Sequence, residues 1–65
     1  MIYDNVKAIA ETKGYTIASL EKAAGLSNGT IGKWQVSSPN IENLVKVART
    51  LRVSVNTLIK PAKEE

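Results

Sequence analysis

A chain of 65 residues holds one small domain, and with no cysteine it has no disulfide to staple it. The absence of both Cys and His excludes soft zinc and iron–sulfur sites, so no metal and no cofactor is expected. An apolar fraction of 43% suffices for a core, and nine basic against six acidic residues leave a mild +3 that permits polyanion binding without demanding it. No apolar run approaches the ~20 residues of a membrane span, and the start MIYDNVKAIAE lacks the blocks of a signal peptide. The expected setting is the reducing cytoplasm, with no membrane partner.

Glycine and proline divide the chain. Ile2, Val6, Ile9 and Ala10 form a helical stripe ending at Lys13-Gly14, a basic residue and a glycine stop. Thr16 is placed to cap a second helix with the stripe Ile17, Leu20, Ala23 and Ala24, which Gly25 ends. Only Leu26 separates Gly25 from Ser27, the expected cap of a third helix over about residues 28–35 that turns Ile31 and Trp34 inward. Asn40 caps a fourth helix carrying Ile41, Leu44, Val45, Val47, Ala48 and Leu51. Ser54 caps a short fifth with Val55, Leu58 and Ile59, closed by Pro61. Nothing alternates with period two over a useful length. The expectation is an all-α, compact five-helix bundle over residues 1–60, then a short polar tail, 61–65, that reads equally as a linker start.

Residues 16–35 carry the functional signal. Two short helices joined by Gly25-Leu26-Ser27 have the sequence form of a helix-turn-helix, although an ordinary helical hairpin has it too. With Ile31 and Trp34 inward, the outward positions of the third helix are Gly29, Gly32, Lys33 and Val36, with Asn28 at the edge. Two glycines there cost about 2 kcal/mol relative to alanine. Close approach of the backbone to another surface, a DNA groove or a protein, accounts for them. An enzyme is not expected: the acids are scattered, and no glycine-rich phosphate loop follows a strand, so there are no catalytic residues and no small-molecule substrate.

From Val6 to Ile59 the chain resembles the Cro and phage-repressor type of helix-turn-helix domain, the XRE-like family. The resemblance rests on G-Y-T at 14–16, Leu20, A-G-L-S at 24–27, T-I at 30–31, Lys33-Trp34 and P-N-I-E-N-L at 39–44. Val45, Ala48, Leu51, Val53 and Ser54 continue it, and S-N-G-T-I-G-K-W resembles small prophage-type members. It implies a lambda-repressor-like fold and a sequence-specific, double-stranded DNA-binding transcriptional regulator, a repressor with its third helix in the major groove. By position, Ser27, Asn28, Gly29 and Lys33 match the family's base-contacting sites. Thr16, Ile17, Ser37, Ser38 and Asn40 match its phosphate-contacting sites. Specific binding of this kind uses two copies on a two-fold symmetric operator, and Val55, Leu58 and Ile59 are the expected self-association surface of a weak homodimer, with Leu58 also suited to the monomer core. Ile17 stands where the family usually has glutamine, and Glu21 where it prefers a small residue. Glu21 would then set a carboxylate close to the DNA-facing surface, and both departures predict weaker binding. The alternative on the same fold is an antitoxin-like or anti-regulator module that binds protein through Ile17, Glu21, the glycines and Val36.

Overall fold

The computed structural model describes residues 2–60, and the expected tail over 61–65 lies outside the described residues. Four α-helices and one 3-10 helix follow one another without a strand among the described residues: α1 (Ile2–Thr12), α2 (Ile17–Ala24), the 3-10 helix (Gly32–Gln35), α3 (Ile41–Leu51) and α4 (Val55–Ile59).

Helix ends are set by local chemistry that recurs along the chain. Thr16 opens α2 with its hydroxyl accepting from the Ser19 amide at 3.0 Å, while the Ser19 hydroxyl accepts from the Thr16 amide at 2.9 Å, a reciprocal cap. Asn40 and Ser54 open α3 and α4 with the forward half of this cap, their side-chain oxygens accepting from the amides of Asn43 and Thr57. At the other end, α1, α2 and α3 stop with one residue in the left-handed region: Gly14 (φ 83°), Gly25 (φ 77°) and Arg52 (φ 61°). The amide after each reaches back a full turn, Tyr15 to Ala10, Leu26 to Glu21 and Val53 to Ala48, at 2.8–3.0 Å. Tyr15, Leu26 and Val53 then pack their side chains on the core. Each stop is thus a left-handed residue followed by an apolar anchor and a Thr or Ser.

The stripes meet in one core of Val6, Ala10, Leu20, Ile31, Trp34, Leu44, Val47, Ala48, Leu51 and Leu58. Helix α2 packs on α3, and α1 packs on α4, on the 3-10 helix and on α2. Asn5 ties α1 to the end of α4, donating to the carbonyls of Leu58 (2.8 Å) and Lys60, which the short helix leaves without a partner of its own.

Three expectations need correction. The third helix, expected over about residues 28–35, is a run of turns followed by a 3-10 helix, because Gly29 sits at φ 91° and interrupts any α-helical path. The bundle therefore holds four α-helices rather than five. Ile41 is not part of the buried stripe; at the first position of α3 it is 66% exposed. Ala23 is also exposed, since the face of α2 turned inward runs through Ile17, Leu20, Glu21 and Ala24, the i, i+3, i+4, i+7 series.

Trp34 is 5% exposed and joins the 3-10 helix to the core. Trp34→Ala is expected to lower stability by about 3–5 kcal/mol, read as a shift of the urea midpoint at unchanged slope. A loss below ~1 kcal/mol would show that the indole is not a core residue in solution.

Candidate nucleic-acid interface

The segment from Ser27 to Val36 is too short to be helical on its own propensity, so its shape comes from what lies beneath it. Ile31 is fully buried and Trp34 nearly so, and they pull one side of the segment into the core. The other hold is polar. Glu21, on the inward face of α2, is 3% exposed, and its two carboxylate oxygens accept from two amides of the segment: Oε1 from Gly29 at 3.0 Å and Oε2 from Ile31 at 2.8 Å. A buried carboxylate is costly unless hydrogen-bonded, and amides at the start of a helical turn offer both donors and a positive dipole end. Among the described residues, no buried side-chain oxygen or nitrogen lacks a hydrogen-bond partner.

This arrangement corrects two readings of the sequence. Ser27 is not the cap of the segment: Gly29 donates to Glu21, and Thr30 donates to the Ser27 carbonyl at 3.1 Å rather than to its hydroxyl. The carboxylate of Glu21 does not face outward; it is enclosed under the turn. The signal was present in the spacing, because position 21 is i+4 from Ile17 and falls on the inward face with Leu20.

Of the expected outward positions, Asn28, Gly29, Lys33 and Val36 are exposed, whereas Gly32 is half-buried. Ser27 is exposed as well, and Val36 at the end of the row is 88% exposed. The two glycines now differ in kind. Gly29 is needed for its backbone, since φ 91° is a conformation that residues with a Cβ rarely adopt. Gly32 has an ordinary φ, and a Cβ there would meet nothing within 4 Å, so nothing inside the molecule requires it.

The residues expected at phosphates occupy helix starts and one loop. Thr16 and Asn40 are exposed N-caps whose side-chain oxygens already accept from Ser19 and Asn43, leaving the hydroxyl proton of Thr16 and the NH₂ of Asn40 to donate elsewhere. Ile17 is half-buried with its side chain on the core, and its amide, like that of Ala18, has no carbonyl within α2 to bind. Ser37 and Ser38 are exposed in the loop before Pro39, with the Ser37 hydroxyl donating to the Lys33 carbonyl at 3.3 Å. Of the expected self-association residues, Leu58 is fully enclosed in the monomer core and so presents no surface, Val55 is half-buried, and Ile59 is 47% exposed. Among the described residues no cluster of acidic side chains could hold a metal ion, and no helix is long and apolar enough to cross a membrane.

A family model described as helix-turn-helix matches residues 6–58. Among solved structures, the N-terminal DNA binding domain of SinR from Bacillus subtilis is similar with a TM-score of 0.88 and 31% identity, covering 98% of this chain and 97% of that one. No curated protein matches the sequence significantly.

The contrast between the glycines is testable without any ligand. Gly29→Ala is expected to lower stability by about 1–2 kcal/mol, the cost of a left-handed residue bearing a Cβ. Gly32→Ala is expected to leave stability unchanged or raise it by up to ~1 kcal/mol. Equal losses in paired denaturant titrations would contradict the geometry.

Proposed function

Because the chain belongs to the helix-turn-helix family, its model spanning residues 6–58, we propose that it is a double-stranded DNA-binding transcriptional regulator, a repressor that reads sequence in the major groove with the turn from Ser27 to Lys33. The observation that carries this is the exposed row Ser27, Asn28, Gly29 and Lys33 held over a buried Ile31 and Trp34. The 31% identity to a domain that itself binds DNA supports the same conclusion.

Each role follows from the available groups. The Asn28 amide can donate to and accept from an adenine edge at once, the pairing that distinguishes adenine in the major groove. Lys33, a flexible cation on the same row, donates to guanine or to a phosphate. Gly29 and Gly32 hold no side chain off the groove floor, and for Gly32 close approach is the remaining reason for the residue type. Ser27 donates its hydroxyl to phosphate. The amide of Ile17, beside the hydroxyl of Thr16, meets a phosphate at the positive end of α2, with Ser37, Ser38 and Asn40 gripping the backbone at the other flank. Two copies bind a two-fold symmetric operator, associating weakly on DNA through Val55 and Ile59.

Selection from a random duplex library at 50 and 200 mM salt tests the proposal. A two-fold symmetric motif and a steep loss of affinity with salt are expected. A protein-binding module would enrich no motif, and its apolar contacts would be nearly insensitive to salt. On the selected site, Asn28→Ala is expected to cost about 1–3 kcal/mol and to relax preference at one base position. Replacing Lys22 or Lys46 should cost much less; equal losses from all three would mean nonspecific charge attraction only.

A further inference from the structure

We infer that Glu21 is a positioning residue for DNA reading: its carboxylate, by holding the amides of Gly29 and Ile31 together, sets the pose in which Asn28 and Lys33 meet base edges. The inference rests on the DNA-binding function proposed above and goes beyond it, because the enclosed Glu21 carboxylate acts through the backbone rather than on DNA.

The geometry is unusually direct. One side chain on α2 binds two amides of the next segment, 8 and 10 residues further along, at 3.0 and 2.8 Å. These amides flank Thr30 and bracket the point where Gly29 takes φ 91°. A carboxylate has two equivalent acceptor oxygens at a fixed separation, so it fixes not only the position of the two amides but also the spacing between them. Asn28 is the neighbour of one clamped residue, and Lys33 donates its amide to the Gly29 carbonyl at 3.2 Å. Both proposed readers are therefore linked through the backbone to the Gly29 peptides that the clamp holds. The rest of the segment is a 3-10 helix of 4 residues, too short to keep this pose by its own hydrogen bonds. The core contacts of Leu26 before the Asn28–Gly29 corner and of Ile31 and Trp34 after it anchor the segment to the domain, and the Thr30 amide closes the turn on the Ser27 carbonyl at 3.1 Å. The Glu21 carboxylate is the side-chain group that binds the corner's own amide, at Gly29.

The clamp also decides which donors face the ligand. The amides of Gly29 and Ile31 end on an internal carboxylate, so the start of the reading segment is not a phosphate anchor. Backbone gripping is left to α2, the loop at Ser37 and Ser38, and α3. Loosening Glu21 should therefore cost discrimination between sequences more than general attraction to the polyanion.

The test compares wild type with Glu21→Gln, which keeps the shape and one acceptor oxygen but opposes the other amide with an NH₂ group, and with Glu21→Ala, which removes the clamp. Affinities are measured for the duplex selected by the wild type and for a scrambled duplex of equal length, at a temperature where each variant is folded. Amide hydrogen exchange of the free proteins is followed in parallel. The expected result is a roughly tenfold fall in the ratio of specific to nonspecific affinity, the size of one mismatched base pair. Nonspecific affinity should stay within about twofold, as it depends on phosphate contacts left intact. Exchange should speed up at Gly29 and Ile31 while protection at Val47 and Leu51 is retained.

Variants that are folded and keep the wild-type ratio overturn the inference alone, leaving the function standing. Specific and nonspecific affinities falling together also overturn it, since that is the mark of general destabilisation. If neither variant folds, Glu21 serves the fold as a whole and the positioning role is again overturned. A wild type that selects no motif removes the function first and the inference with it.

Discussion

None of the helices in this chain is long enough to persist in water by itself. Among the described residues the longest α-helices run 11 residues and the shortest 5, whereas isolated helices below ~12–15 residues are marginal. Stability must therefore come from stripes buried against one another, and the chain must turn sharply to bring those stripes together. It does so with one repeated device. A left-handed residue ends the helix, the next side chain drops into the core, and the residue after that is a Ser or Thr. Tyr15, Leu26 and Val53 are turn residues that also pack, half-buried, against the core, so redirecting the chain also adds apolar burial. Arg52 takes the left-handed position without being glycine, at a cost of about 1–2 kcal/mol that the anchoring of Val53 helps offset.

The segment between α2 and α3 shows what happens where this device is incomplete. Ser27 follows Gly25 and Leu26 as Thr16 follows Gly14 and Tyr15, yet it does not cap what comes next. The carboxylate of Glu21 takes that place from the preceding helix and binds amides that a hydroxyl at Ser27 would reach only one at a time. A cap supplied from α2 ties the turn to the helix behind it through two hydrogen bonds. Local sequence sets the orientation of the other helix starts, but here orientation is a property of a contact across the turn.

The exposed row on this segment is thus a product of three buried groups rather than of helical propensity. Ile31, Trp34 and Glu21 hold one side, and Ser27, Asn28, Gly29 and Lys33 are left on the other. Glycine has two separate meanings in this segment. At Gly29 it permits the backbone turn, and at the half-buried Gly32 beside the row it leaves a space that no internal contact fills. A ligand that touches main chain, as a groove floor does, is the natural complement of that space.

Much of this was legible in the residues themselves. Periodicity, the caps Thr16, Asn40 and Ser54, and the stops at Gly14 and Gly25 determine where α1, α2, α3 and α4 lie, because these are local hydrogen-bonding and steric preferences acting within a few positions. The inward placement of Ile31, Trp34 and Leu58 follows from the same spacing. Three things were decided only by the packed structure. Arg52 could take a left-handed position because Val53 had a core to enter. The third segment leaves the α-helix at Gly29, and Glu21, which spacing sets on the inward face, finds its two amide partners only under a turn formed by distant contacts. Ile41 and Ala23 were left outside because a helix of given periodicity still has a free rotation about its axis, and only the neighbouring helices settle which apolar side chains on its margin are covered.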